Sequence, residues 1–196
     1  MYRLFYNREN VGDVLFIVLD ALAYPDASKT NGEVTALYKG DELIGINLFN
    51  FSKTVKIKAH GMIVTPEDVL IDVINSKLQN AGLPMLPYTR ESGFVVAEVN
   101  NIEEHPLDER SNILTLKVGE KTLSTVTRYQ NISIGSHIVV VCDGAIKFDG
   151  VLFQKKIVKN IPIECEVCCE ADLRIGEEFK SAFLVDLPSG TDFFLN

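Results

Sequence analysis

The chain has 196 residues, room for one large domain or two small ones. At 46% hydrophobic and 23% charged residues it has the composition of an ordinary globular protein, which excludes a disordered or fibrous chain. Net charge is −8 and uneven: residues 1–92 carry 9 Lys/Arg against 11 Asp/Glu, and residues 93–196 carry 10 against 16. Nucleic-acid affinity rests largely on cations replacing phosphate counterions, so this balance argues against tight nonspecific binding, and no DNA partner is expected.

The longest apolar runs, residues 14–19 and 138–142, fall short of the ~20 residues that a membrane helix needs. Residues 1–6 show no basic region ahead of a long apolar core, so no secretory signal is expected and a cytoplasmic location follows by default.

In chain order, residues 14–19 read as a strand covered on both faces. Residues 24–32, rich in Pro, Asp, Ser, Asn and Gly, read as a loop. Residues 33–38 and 43–49 read as a hairpin around Lys39-Gly40-Asp41-Glu42. Thr65 is a helix N-cap, Pro66 suits the first helical position, and Glu67 and Asp68 favour the positive end of the helix dipole. Val69, Leu70, Val73, Ile74 and Leu78 then form one apolar stripe, and Gly82 closes the helix. Residues 83–93, with two prolines and no periodicity, read as a linker.

Beyond the linker the pattern is β again, with strands at 94–99, 113–118, 122–127, 138–142 and 161–169. Five short strands with one irregular connection, 128–137, suit a Greek-key barrel of the OB type. The fold class is therefore mainly β with α. An α+β domain over 1–88 precedes an OB-fold barrel over 93–182, and a tail over 183–196 is expected to pack back on the N-terminal domain.

Cys142, Cys165, Cys168 and Cys169 read as core rather than as a metal site. On a strand, residues three apart face opposite ways, and Cys165 and Cys169 would lie about 13 Å apart. No second ligand pair accompanies them, so no zinc and no other cofactor is expected. No paired carboxylates, phosphate-cradling glycine loop or Ser/His/Asp set stands out, so an enzyme is not expected.

The run Phe94-Val95-Val96-Ala97-Glu98-Val99, followed by Glu104-His105-Pro106-Leu107-Asp108, resembles the opening of a known tRNA-binding domain. That domain occurs in bacterial phenylalanyl-tRNA synthetase beta chains, at the C-terminus of many methionyl-tRNA synthetases, and in stand-alone YtpR-type proteins. Asn131, Ile134-Gly135, Val139-Val140-Val141, Gly144-Ala145, Lys159 and Cys168 continue the match. Arg128-Tyr129, Glu109-Arg110-Ser111 and Cys165-Glu166 depart from the family pattern. The N-terminal part, with Phe5-Tyr6-Asn7 and Val11-Gly12-Asp13-Val14, also looks like that of YtpR-type proteins. The resemblance implies tRNA or another structured RNA as partner, and homodimerisation.

Each candidate contact has two readings. His105-Pro106 is a rigid turn or an RNA contact. Lys155, Lys156 and Lys159 form a solvated edge or a phosphate-contacting strip, extended by Arg110 and Arg128. Alternation along an extended segment would point Lys155 and Lys159 the same way. Tyr129 caps the core or offers a stacking platform beside Arg128, and Asn131 completes the set. The two functional readings are accordingly a non-catalytic RNA-binding protein and a barrel that serves protein interaction without RNA.

Overall fold

Alternating burial along the first strands builds a six-stranded antiparallel sheet in the order β3-β4-β5-β2-β1-β6. Its strands are β1 (Arg3–Tyr6), β2 (Val14–Val18), β3 (Ala27–Asn31), β4 (Val34–Lys39), β5 (Glu42–Phe49) and β6 (Gly61–Ile63). A single turn of helix, α1 (Arg8–Val11), joins β1 to β2. The computed structural model describes residues 2–88 and 91–195, divided into the units Met1–Arg90 and Glu91–Asn196. No helix among the described residues is long and apolar enough to cross a membrane.

Leu4 and Tyr6, Leu15 and Ile17, and Ile46 and Leu48 are each two residues apart, so all six side chains leave one face of the sheet. They pack with Ile71, Ile74 and Leu78 of α2 (Asp68–Asn80). Phe16 and Val18 of β2 are only half-buried, so this strand is less covered than its unbroken apolar run implied. The α2 stripe is also rotated from the expected one: Val69 is 64% exposed and Ile71 is fully buried in its place. The helix starts later than Thr65, with Glu67 at the N-cap. Its end follows the sequence reading. Gly82 adopts φ +74°, its amide donates to the Gln79 carbonyl, and the Leu83 amide reaches the Leu78 carbonyl, the paired bonds of a left-handed helix stop.

Residues 27–31, expected as loop, form β3 at the sheet edge with every residue exposed. A polar edge strand holds on by its backbone ladder to β4, so it leaves no apolar periodicity to read. The expected linker also divides. Leu86 is buried in the first unit, held at both its amide and its carbonyl by Asn75, whereas Ser92 bonds Asp192 of the second.

The second unit is a five-stranded barrel in the order β13-β10-β7-β8-β9. The strands are β7 (Phe94–Glu104), β8 (Asn112–Val118), β9 (Lys121–Thr127), β10 (His137–Cys142) and β13 (Cys165–Val167). A separate hairpin, β11 (Lys156–Val158) and β12 (Ile161–Ile163), is inserted between β10 and β13. The β7 strand bends at a bulge between Val99 and Asn101 and thereby pairs with β10 over its first half and β8 over its second. All four ladders are antiparallel, so β9 and β13 run in the same direction where the barrel closes. There the Glu164 amide donates to the Ser124 carbonyl at 2.8 Å and the Thr125 hydroxyl donates to the Cys165 carbonyl. Order and direction are those of the OB fold.

Residues 161–169 are not one strand as the alternation implied. Glu164 turns the chain at the closure, leaving β12 in the hairpin, β13 in the barrel, and Cys169 as N-cap of the short α3 (Glu170–Leu173). The tail belongs to the second unit. Its hydrogen bonds run to the barrel: the Val96 amide donates to Thr191, the Gly190 amide to Val96, the Phe193 amide to Phe94 and the Val185 amide to His137. A Cβ at Gly190 would sit 2.9 Å from the Gly119 backbone, which is why this crossing carries glycine at 190.

Candidate nucleic-acid interface

OB barrels bind ligands on the face of their second and third strands, between the loops joining strands one to two and four to five. Here those strands are β8 and β9, and the connections are residues 105–111 and 143–164.

The first connection is organised by one carboxylate. Asp108 accepts from the Arg110 amide at 3.2 Å, the Ser111 hydroxyl at 2.8 Å and the Arg128 guanidinium at 3.1 Å. The Ser111 hydroxyl, the Arg110 amide and Arg128 together bring its pKa down to about 2. The backbone closes the same turn, His105 and Ser111 bonding amide to carbonyl at 3.0 Å. His105 Nδ1 accepts from the Leu107 amide at 3.1 Å, so the neutral ring carries its proton on Nε2.

The second connection carries the hairpin. Lys159 and Asn160 have φ of +50° and +66°, the left-handed pair of a tight two-residue hairpin turn. Lys156 lies on β11 and Lys159 at the tip. Lys155 precedes the strand, where its amide donates to Asp143 at 2.8 Å and its ammonium lies 3.9 Å from the same carboxylate. The extended alternation expected to align Lys155 with Lys159 is therefore broken by the turn.

Between the two connections lies a cleft of about 300 Å³. His105 lines it from the first connection, Thr125 and Val126 from β9, and Phe153, Lys156, Val158 and Ile163 from the second. Cys165 and Glu166 of β13 complete it. His105 and Lys156 are thus brought to one concavity.

The other candidates are placed elsewhere. Arg128 is paired with Asp108, and the Arg110 carbonyl is held by Gln130. Tyr129 packs against the barrel core rather than standing out as a platform, and burial followed by its contact with the Cys169 thiol raises its pKa. The Asn131 amide is engaged at both ends by the Ala182 backbone. Sequence reasoning missed Val158, Ile163 and Phe153. The signal was there in a hairpin more apolar than its exposure requires, with Ile157 75% and Val158 43% exposed.

Among the described residues no three His, Cys, Asp or Glu side chains gather as metal donors. Cys165 stands opposite Cys142 across β13 and β10, and Cys168 and Cys169 are buried.

A family model described as "Domain of unknown function (DUF4479)" matches residues 23–85. The chain is 28% identical over 176 residues, 88% of each chain, to "Putative tRNA-binding protein YtpR" of Bacillus subtilis (strain 168). It is 26% identical over 116 residues to the phenylalanine–tRNA ligase beta subunit of Oceanobacillus iheyensis, covering 59% of this chain and 14% of that one. The same subunit of Bacteroides thetaiotaomicron is 24% identical over 132 residues, covering 64% and 16%. The chain thus spans only a small part of the two ligase subunits. Its similarity to YtpR, resting on 88% of its length, runs through both the N-terminal sheet unit and the OB barrel.

Proposed function

We propose that this chain is a non-catalytic RNA-binding protein that holds tRNA through its OB barrel. The observation that carries the reading is the cleft between residues 105–111 and the β11–β12 hairpin. It lies at the position where OB barrels take oligonucleotides, and Lys156 lines it in a chain similar to one named for tRNA binding. Lys156 and Lys159 meet phosphate, and Lys155 joins them when phosphate competes with Asp143, an exposed ion pair of little strength. Arg110 and Arg128 flank the same face from the loops. His105 offers Nε2–H to a base or sugar, while its Nδ1 is committed to a backbone amide rather than to a nucleophile. Asn131 and Tyr129 act by holding the barrel in shape. The protein works without a cofactor, in the cytoplasm where tRNA resides.

Labelled bulk tRNA titrated at about 50 and 200 mM salt tests this, with a Lys155/Lys156/Lys159→Glu variant alongside. Wild-type affinity falls with salt, and the variant binds at least about tenfold more weakly. Equal affinity of variant and wild type sinks the reading. Exposed Ile157 and Leu107, at 75% and 67%, favour the second reading of a protein-interaction surface, and absence of tRNA binding at low salt would select it.

A further inference from the structure

The cleft beside His105 has two kinds of wall. Val126, Phe153, Val158 and Ile163 make it apolar, while Lys156 and Glu166 are its charged members. Glu166 is anchored by Lys147, whose ammonium donates to one carboxylate oxygen at 3.0 Å. Lys147 offsets the charge of Glu166 but leaves its other carboxylate oxygen as an acceptor for N–H groups, so a nucleotide entering the cleft presents its base inward and leaves its phosphate by Lys156.

A base within an A-form helix cannot do this. It shows only its edges, through a major groove too narrow for side chains or a shallow minor groove, and its faces are covered by its neighbours. Reading a duplex by shape requires cations spread along many phosphates. On this side of the barrel Arg128 is 3.1 Å from Asp108 and Lys155 is 3.9 Å from Asp143, leaving Lys156, Lys159 and Arg110 as the principal cations outside an ion pair among the described residues. Burial of a base face has to supply the rest of the affinity.

We infer that this cleft receives one unpaired nucleobase from a single-stranded RNA segment, its face against Val158 and Ile163 and its N–H edge toward Glu166. The inference rests on the RNA-binding reading above and specifies what enters the site. No exposed aromatic ring lines the cleft, Phe153 being 6% exposed, so aliphatic side chains and the His105 ring serve as the stacking surface.

Competition against labelled tRNA on the full chain tests it, using a single-stranded oligocytidylate and a blunt RNA duplex of equal length as competitors. The single strand displaces tRNA at a concentration roughly tenfold or more below that of the duplex. Val158→Ser and His105→Ala each weaken oligocytidylate binding about fivefold or more, and Val158→Ser does so with thermal melting unchanged because Val158 is 43% exposed. The inference is overturned, and RNA binding stands, if the triple lysine variant loses tRNA while the duplex competes as well as the single strand. Full oligocytidylate affinity in both single variants overturns it equally. No tRNA binding by the wild type at low salt overturns both.

Discussion

Asn131 and Ala182 hold one another by two hydrogen bonds, Nδ2 donating to the Ala182 carbonyl at 2.9 Å and the Ala182 amide donating to Oδ1 at 2.8 Å. The pair fastens the irregular connection between β9 and β10 to the segment leading into the tail. Asn131→Asp keeps the acceptor but sets a carboxylate against a carbonyl oxygen. It should lower barrel stability by about 1 kcal/mol, read as a lower melting temperature, with tRNA affinity retained. Loss of tRNA binding without loss of stability would return Asn131 to the RNA contact set.

The Asp108 hub makes stability depend on acid. Its pKa is depressed to about 2, below the unfolded carboxylate value near 4. A depressed folded pKa stabilises above the unfolded value, and that contribution disappears as pH falls from about 4 to 2. Asp108→Asn should therefore be less stable than wild type at pH 6, and the two should converge near pH 2. Urea denaturation across this range checks it, and a constant gap would contradict the assignment.

Asn75 is 6% exposed and satisfies both backbone groups of Leu86. Asn75→Ala leaves a buried amide and carbonyl without partners and should destabilise the N-terminal unit by roughly 2 kcal/mol or more. Circular dichroism in urea would show a lower midpoint for that unit's transition.

The thiols should be inert while the protein is folded. Burial, followed by the Asp143 and Asp192 charges, pushes Cys142 up to about 11, and burial also raises Cys165 and Cys168. At pH 8 a thiol of pKa 11 is thiolate in about one molecule in a thousand. A thiol-specific chromogenic reagent should react slowly with native protein and rapidly with all four cysteines in denaturant. Fast reaction of native Cys142 would show that β10 and β13 open readily.

Few free cations line the cleft, so the salt dependence of tRNA binding should be shallow. With two or three phosphates neutralised, log K against log salt should fall with a slope of about −2. A much steeper slope would require a larger basic surface than the described residues supply.

The sequence alone marked several of the segments that form strands. In β2 and β5, and in β7, β8 and β10, apolar side chains are set to one face by alternation or fill a continuous run, signals that local periodicity carries without knowledge of partners. It also determined the helix stop at Gly82, because a left-handed residue there leaves glycine as the unstrained choice. The barrel was legible for the same periodicity, whereas the resemblance to tRNA-binding domains rested on particular runs such as residues 94–99 and His105-Pro106.

Other features depend on contacts distant in sequence. The polar strand β3 exists only through its ladder to β4, and the division of residues 161–169 follows from Glu164 meeting Ser124 across the closure. The fates of the candidate contacts were decided there too. Tyr129 and Asn131 were drawn into packing and backbone pairing, and Arg128 into the Asp108 hub. His105 and Lys156, 51 positions apart, came to line one cleft. Residue type specifies what a side chain is able to bond. Only closure of the barrel brings its partners within reach, and so decides which groups remain free to meet a ligand.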